Sequence, residues 1–307
     1  MRIIITGGTG WIGRQLAGQL AGDGHETVIL SRNPSQTAGM PAGVRLERWD
    51  AKTAAGWGHL ADGADAIVNL AGERLAGPSP AYRWTEKRKQ SICDSRRNAG
   101  LAVTEAVRAA KNKPKVLIQA SGINYYATGD ALATENTLAG SGFLPHIVKD
   151  CWEASTVEVD AMGVRRAIIR TGPVLGSNSP VLSPILLQFK LFAGGTIGNG
   201  KQWFPWVHID DVIGVVRFLI DNPGGTGPFN LVAPNPVTNA EMGKIVGRVL
   251  GRPSWLPAPS FAFNLAFGEM AMTLTEGVHA QPKRLLELGY TFRFPTLDAA
   301  VRNAVGK

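Results

Sequence analysis

The sequence predicts an α/β fold, a doubly wound parallel sheet followed by a smaller mixed α/β part. Three observations support this prediction. Short apolar runs alternate with helical patterns up to Gly172, these runs are nearly continuous, and Gly and Pro become frequent beyond that point. Nearly continuous apolar strands are typical of parallel sheets covered on both faces. Strand–helix alternation implies right-handed crossovers between neighbouring strands.

The first part contains six predicted strands and three predicted helices. The strands, rich in Val, Ile and Leu, are expected at 2–6, 26–31, 44–48, 66–71, 116–120 and 166–171. The helices are expected at 11–21, 85–110 and 142–161, and five more at 184–192, 211–221, 239–250, 261–274 and 282–288. We assign 1–172 to the sheet domain, whose last elements draw on 204–232. Residues 173–307 form the smaller part, with an extension from about residue 253.

Composition and charge narrow the class of protein. The 44% of hydrophobic residues in 307 exclude a disordered or fibrous chain. The net charge of +8 invites a nucleic-acid reading, but +7 of it lies in 83–115. That segment has few aromatic residues for stacking and its predicted helix has an apolar inward face, so no nucleic-acid partner is expected.

Cysteine content and hydropathy suggest a compartment. Cys93 and Cys151 are too few for a disulfide framework and are expected to be buried free thiols. No apolar run is long enough to cross a membrane, and the start of the chain lacks a signal-peptide pattern. We expect a cytoplasmic monomer or homodimer. No Cys/His spacing typical of a metal site occurs, so no metal is expected.

A glycine-rich turn after the first strand carries the strongest functional signal. Gly7, Gly10 and Gly13 stand between an apolar strand and a helical pattern. The first permits a sharp turn, the second lets backbone N–H groups approach a pyrophosphate, and the third lets the helix pack close to the strand. A helix N-terminus favours phosphate. We therefore predict a Rossmann-type dinucleotide site at this turn, to which Thr9, Trp11 and Ile12 also belong.

The end of the second strand indicates which dinucleotide binds. An acidic residue there would bind the ribose 2′-hydroxyl of NAD, whereas an arginine accommodates the 2′-phosphate of NADP. The strand ends in Ser31 and Arg32, with no acidic residue. A hydroxyl and a guanidinium fork suit a phosphate. NADP(H) is therefore the predicted cofactor.

Motifs along almost the whole chain resemble the extended short-chain dehydrogenase/reductase superfamily. The likeness is strongest to its atypical NAD(P)-dependent epimerase-like branch, which carries a C-terminal domain of unknown function (DUF1731-type). The matching segments are 6–13, 69–73, 83–88, 170–176, 200–204 with 208–211, and 282–286. This resemblance implies that the smaller part covers a substrate cleft. It also implies that Leu70, Ala71 and Gly72 lie along the cofactor, that Asp50 contacts adenine, and that Pro173 closes over the nicotinamide.

The acid–base residues of this superfamily are only partly present. The family uses Asn, Ser, Tyr and Lys, in which the Tyr phenol transfers the proton and the Lys lowers its pKa. Ser121 and Lys149 match the Ser and the Lys, and Lys149 also matches the residue that holds the nicotinamide ribose. Pro145 stands where the Tyr is expected, and Arg96 stands where the Asn is expected.

Other residues are candidates for the missing role or for substrate contact. Tyr125 and Tyr126 follow Ser121 on a loop expected to line the cleft, and we assign Tyr125 to proton transfer and Tyr126 to the substrate. Glu73, just after the fourth strand, is a second proton-transfer candidate beside the substrate. Trp203 is also placed at the substrate.

Arg96 falls on the inward stripe of the predicted helix 85–110, four residues after Ile92 and three before Ala99. An inward arginine must form an ion pair or line a cavity. In a cavity it would suit an anionic substrate.

Two functions remain open from the sequence. The first is an NADP(H)-dependent oxidoreductase or epimerase acting on a small, anionic molecule, supported by the glycine turn, Arg32, Ser121 and Lys149. The second is a non-catalytic NADPH-binding sensor or scaffold, which the absence of the family Tyr favours.

Overall fold

A seven-stranded parallel sheet forms the centre of the computed structural model, which describes residues 1–76 and 83–307. The strands are β1 (Arg2–Thr6), β2 (Glu26–Ser31), β3 (Val44–Arg48), β4 (Ala66–Asn69), β5 (Val116–Gly122), β6 (Gly129–Ala133), β7 (Arg165–Thr171), β8 (Val174–Leu175), β9 (Trp203–Phe204), β10 (Val207–His208), β11 (Gly227–Leu231), β12 (Val237–Thr238) and β13 (Val278–Ala280). The central sheet has the order β11-β7-β5-β4-β1-β2-β3, and every pair in it is parallel. The predicted doubly wound α/β fold is confirmed.

Helices cover both faces of the sheet. In the part of the chain described, the α-helices are α1 (Trp11–Gly22), α2 (Glu86–Ala109), α3 (Phe143–His146), α4 (Leu182–Lys190), α5 (Ile209–Asp221), α6 (Asn239–Leu250), α7 (Ser260–Phe267), α8 (Met272–Thr275), α9 (Lys283–Glu287) and α10 (Leu297–Ala304). Short 3₁₀ turns occur at Gly58–Ala61, Ile123–Tyr125, Ala154–Met162 and Gly268–Ala271. None of the described helices is long and apolar enough to cross a membrane.

The core consists of two layers, one on each face of the sheet. Ile3 and Ile5 of β1 pack on the layer that includes α1 and α5, whereas Ile4 packs on the opposite layer with α2. All three are fully buried. Because successive strand side chains point to opposite faces, an uninterrupted apolar run buries both faces of a central strand.

The predicted helix 142–161 is divided into three segments. It begins as α3, continues as a π-helix over Ile147–Glu153, and ends as a 3₁₀ turn over Ala154–Met162. A π-helix has i→i+5 hydrogen bonds, so its side chains have a different angular spacing from those of an α-helix. This difference matters below, because the segment includes Lys149, one of the predicted site residues.

The prediction of free thiols is wrong. Cys93 of α2 and Cys151 of the π-helix form a disulfide, with their Cα atoms 5.3 Å apart. The spacing of the two residues along the chain gave no sign of this pairing, since it depends on α2 packing against the π-helix.

The smaller part supplies a strand to the central sheet and packs around its own core. β11, which lies within 204–232, pairs with β7 at the edge of the sheet. A separate apolar cluster joins α4, α6 and α10. Asp211 of α5 is fully buried and anchors the tail, accepting hydrogen bonds from the backbone N–H groups of Arg293 (2.7 Å) and Phe294 (3.0 Å).

Candidate functional site

A cavity of about 1090 Å³ opens where the central strands end. It is lined by residues after β1, β2, β3, β4 and β7, by the last residues of β5, and by one side of α2. Ligands of open α/β sheets bind in such crevices outside the carboxyl ends of the strands. Of the residues proposed from the sequence, the following line it: Gly7, Thr9, Gly10, Trp11, Ile12, Gly13, Ser31, Arg32, Asp50, Leu70, Ala71, Gly72, Glu73, Ser121 and Pro173.

The glycine turn between β1 and α1 has no room for side chains. Gly7 has a φ of +67°, and a Cβ added there would lie 2.8 Å from the backbone carbon of Leu70. A Cβ on Gly13 would lie 2.6 Å from the carbonyl oxygen of Gly7. Gly10 directly precedes α1 and has no side chain to cap the helix, so the backbone N–H groups of the first turn of α1 receive no side-chain cap. The turn is therefore shaped for a group that accepts hydrogen bonds from backbone N–H, such as a pyrophosphate.

A second cavity of about 270 Å³ lies at the end of β2 and shares Thr9, Ser31 and Arg32 with the first. Arg14 of α1 also lines it, so two guanidinium groups border one small space. None of the described residues that line it is acidic. Arg32 could be predicted from the sequence but Arg14 could not, because no sequence pattern shows that the first turn of α1 lies near the end of β2.

Asp50 lines the large cavity, but its carboxylate is bound to its own loop. It accepts hydrogen bonds from the N–H groups of Lys52 (2.7 Å) and Thr53 (2.8 Å) and from the Thr53 hydroxyl. Burial alone would raise the pKa of Asp50, but these hydrogen bonds hold it below its ordinary value. The carboxylate therefore stays ionised, and its first structural role is to hold the loop after β3.

Buried polar side chains fix the floor of the cavity after β4. Thr6 donates to Asn69 (2.6 Å), and Asn69 donates to Gln119 (2.8 Å), which joins β1, β4 and β5. The Thr6 hydroxyl also accepts from the N–H of Ala71 at 3.2 Å. The backbone of 70–72 is thereby held against the glycine turn.

Glu73 lies at the cavity wall, held by α2. Its carboxylate accepts hydrogen bonds from Arg88 and from the Ser91 hydroxyl (3.0 Å), and its N–H donates to Ser95 (3.0 Å). Ser91, Ser95 and Asn98 of α2 line the same wall. Their spacing of four and three residues places them on one helix face, and this polar stripe could have been found in the sequence.

Arg96 lies behind the wall rather than in it. Its side chain is only 6% exposed, its guanidinium donates to the Ile92 carbonyl (2.9 Å), and it stacks 4.6 Å from the ring centre of Trp152. Burial lowers the pKa of Arg96 to about 10, with Arg88 acting in the same direction and Glu73 opposing it. Arg96 is not among the residues that line the cavity, and Gly72 and Trp152, which do line it, lie between this cation and the cavity.

Ser121 at the inner end of the cavity belongs to a buried network across three strands. It pairs in register with Arg170 of β7, which pairs with Asn230 of β11. Ser121 donates to Glu153 at 2.5 Å, and Arg170 binds the same carboxylate through Nε (2.9 Å) and a terminal nitrogen (3.0 Å). Burial would lower the pKa of Arg170, but the Glu153 carboxylate raises it above its usual value. Glu153 was missed because its role depends on pairing between strands.

The two tyrosines after Ser121 pack beside this network. The Arg170 guanidinium lies 3.4 Å from the ring centre of Tyr125 and donates to the Tyr126 hydroxyl at 2.9 Å, which itself donates to Asn230. Burial raises the pKa of Tyr126 to about 12. Neither tyrosine lines the cavity, so their positions do not support the proton-transfer and substrate roles expected from the sequence.

Lys149 and Trp203 also lie outside the cavity lining. Lys149 is exposed, because the π-helix buries Val148 and Cys151 and places Trp152 at the wall in its stead. Trp203 stacks on His279, with ring centres 3.8 Å apart, and donates to Asp130. The match to the family motif alone therefore does not place either side chain at the cavity.

Comparison with known proteins defines the class to which this fold and site belong. The model of the NAD dependent epimerase/dehydratase family matches residues 3–232, and that of a domain of unknown function, DUF1731, matches 258–304. The chain is a member of the NAD dependent epimerase/dehydratase family, which confirms the resemblance drawn from the motifs.

Individual relatives match over nearly their full length. "Epimerase family protein YfhF" of Bacillus subtilis is 38% identical, over 99% of this chain and 98% of the relative. A chloroplastic homolog of "Epimerase family protein SDR39U1" from Arabidopsis thaliana is 34% identical, over 98% of this chain and 86% of the relative. The crystal structure of human epimerase family protein SDR39U1 (isoform 2) with NADPH is 34% identical, covers 100% of both chains and has a TM-score of 0.88.

Proposed function

We propose that this protein is an NADP(H)-dependent oxidoreductase or epimerase that acts on a small, anionic substrate. The observation that carries the proposal is the continuity of the site: the two cavities share Thr9, Ser31 and Arg32, and the larger one extends past the glycine turn to Ser121. A dinucleotide has its phosphates between two nucleosides, which matches this order. The NADPH in the human relative's crystal structure supports the same assignment.

The residues present fit the cofactor. The turn that admits no Cβ at Gly7 or Gly13 suits a pyrophosphate, and Arg14 and Arg32 suit a ribose 2′-phosphate. When bound, the nicotinamide ring supplies hydride transfer. Pro173, beside the end of β7, borders the inner part of the cavity and would exclude water there.

Ser121 is proposed to contact the reacting oxygen of the substrate, with Glu153 as the proton acceptor behind it. Because Ser121 donates its hydroxyl proton to Glu153, its lone pairs remain free to accept a proton from a substrate hydroxyl. In the oxidation direction the proton passes through Ser121 to the carboxylate, which Arg170 holds in place, and in the reduction of a carbonyl the protonated Glu153 carboxyl returns it through Ser121 to the product oxygen. This pair would replace the phenol that Pro145 removes.

Positive charge at the wall supports an anionic substrate. Arg74 and Lys87 line the cavity, and the buried Arg96 adds a cation behind Gly72. The carboxylate of Glu73 is offset by Arg88. Lys87 is exposed and also borders the cavity.

The alternative is a non-catalytic NADPH-binding sensor or scaffold. One observation favours it. Lys149 is exposed outside the cavity and Pro145 replaces the Tyr, so neither member of the family's Tyr–Lys proton relay is present at the cavity.

A single-turnover assay distinguishes the two functions. Protein loaded with NADPH is mixed with a panel of small carboxylate- and phosphate-bearing carbonyl compounds, and the loss of reduced-nicotinamide absorbance is followed. The enzyme proposal expects oxidation by at least one compound and its loss in Ser121→Ala, with NADPH still bound. If no compound is reduced, or Ser121→Ala oxidises NADPH at the wild-type rate, the proposed chemistry is wrong.

A further inference from the structure

The disulfide joins the two elements that form the substrate end of the cavity. Cys93 lies on α2, which carries the polar wall residues Ser91 and Ser95. Cys151 lies in the π-helix directly before Trp152, which lines the cavity, and Glu153, which binds Ser121. A covalent bond here restrains the wall and the proposed proton acceptor relative to one another.

Two basic side chains border the sulfur of Cys151. Arg97 places a guanidinium nitrogen 3.8 Å from it, and His146 places Nε2 at 3.7 Å. The carboxylates in this cluster contact the far sides of these two groups: Asp150 is 2.8 Å from Nδ1 of His146, and Asp94 is 3.5 Å from Arg97. The Arg97 guanidinium therefore places a positive charge beside the sulfur, and such a neighbour stabilises a thiolate.

The two cysteines differ slightly in exposure. Both residues are buried, but Cys151 is fully buried, whereas 5% of the Cys93 residue surface remains exposed. In thiol–disulfide exchange, the better leaving group is the sulfur whose thiolate is stabilised, and the attacked sulfur must be reached by the incoming thiolate. Both criteria assign the same roles, attack at Cys93 and departure of Cys151.

We propose that Cys93 and Cys151 form a reversible thiol–disulfide site that reacts with low-molecular-mass thiols and their disulfides. A thiolate attacks the Cys93 sulfur, forms a mixed disulfide with it, and releases the Cys151 thiolate beside Arg97 and His146. A second thiolate attacks the small molecule's sulfur in the mixed disulfide and releases Cys93. Two thiols are oxidised to one disulfide, and their two protons go to the two cysteine sulfurs. The site is independent of the proposed function.

The oxidised state holds the π-helix against α2. Reduction removes this link, so the backbone of 147–153 opens more readily while the central sheet is unaffected. Amide hydrogen exchange reports such local opening directly.

A redox titration tests the exchange site. Native protein is equilibrated in buffers of varied glutathione to glutathione-disulfide ratio, quenched with a maleimide, and analysed for free thiols by mass spectrometry. We expect one two-electron transition. Arg97→Gln should make the disulfide harder to reduce, changing the exchange equilibrium constant by about threefold, the size expected of one partly exposed charge interaction. Arg108→Gln on the same helix, whose partner is the exposed Glu158, is the matched control and should leave the equilibrium constant unchanged.

Each outcome decides the proposal. A pair that stays oxidised in excess dithiothreitol while folded, but is reduced once unfolded, is a structural disulfide and overturns it. Thiols that stay free in excess glutathione disulfide overturn it as well, as does an equal effect of the two arginine substitutions.

Hydrogen exchange of 147–153 should increase in reduced wild-type protein and in Cys93→Ala, with α1 unchanged. If Cys93→Ala does not fold, reduced wild-type protein still provides the test. Equal exchange of 147–153 in the oxidised and reduced states would contradict the proposal that the disulfide holds the π-helix against α2.

Discussion

The Ser121 hydroxyl donates a 2.5 Å hydrogen bond to the Glu153 carboxylate, which connects the end of β5 to the π-helix. This bond leaves Ser121 as an acceptor towards the cavity. Glu153→Gln should therefore slow hydride transfer by about 100-fold or more, the contribution typical of a positioned acid–base group. The readout is the single-turnover rate with a compound that wild-type protein reduces. NADPH affinity within about twofold of wild type would show that the variant is folded.

Lys149→Met is the matched control on the same π-helix. Because Lys149 is exposed and lies outside the cavity lining, the substitution should leave both NADPH affinity and the single-turnover rate within about twofold of wild type. A large loss of rate in Lys149→Met, with the rate of Glu153→Gln unaffected, would assign proton transfer to Lys149, as in the family. It would contradict the proposed role of Ser121 and Glu153.

Gly13→Ala should abolish NADPH binding and destabilise the fold. The added Cβ would lie 2.6 Å from both the Gly7 carbonyl oxygen and the Gly8 Cα, so the turn must move. Overpacking of this kind costs about 1–3 kcal/mol. Gly22→Ala, on the same helix with no atom within 4 Å of the added Cβ, should be neutral or stabilising by up to about 1 kcal/mol. Thermal unfolding and NADPH titration of both variants measure these effects. Equal losses of stability and of NADPH affinity in the two variants would contradict the proposed role of the glycine turn.

Stability should fall as pH drops below neutrality because of His208. Burial lowers the pKa of His208 below its ordinary value of 6.5, while Asp210 and Asp211 oppose this shift. Between 6.5 and the lowered folded value, the unfolded chain binds a proton that the folded chain does not. The free energy of unfolding therefore decreases as pH falls through this window.

His208→Asn tests the source of that slope. The His208 side chain caps α5 by accepting from the N–H of Asp210 at 3.2 Å, and Asn can keep this cap without titrating. Urea unfolding at several pH values should show a smaller dependence on pH in the variant. An unchanged slope would assign the effect to other groups.

Much of the sheet could be predicted from the sequence because burial on both faces leaves an unambiguous apolar run. The bounds of β1, β2 and β3 agree with the prediction to the residue. β11 was not predicted as a strand, since it begins with Gly227 and Pro228. Proline is tolerated there because β11 is an edge strand, which is a property of the assembled sheet.

The cofactor and the glycine turn at the cavity could be predicted from the sequence, whereas the contacts around Ser121 could not. Phosphate recognition depends on a local turn, so the glycine spacing predicts it. The contacts of Glu153, Arg170 and Ser121 depend on strand pairing and on the π-helix, neither of which has a local signal. The same reason explains why neither the exposure of Lys149 nor the Cys93–Cys151 disulfide was predicted.

The affinity of the purified protein for NADPH and for NADH, measured by calorimetry in wild type and in Arg32→Ser, tests the central claim most directly. The 2′-phosphate should form charge-assisted hydrogen bonds with Arg32 and Arg14, which line the same small cavity. Wild type should bind NADPH more tightly than NADH, and Arg32→Ser should lose about 10- to 100-fold in NADPH affinity with little change for NADH. Equal affinity for the two dinucleotides, or an equal loss of both in Arg32→Ser, would contradict the account.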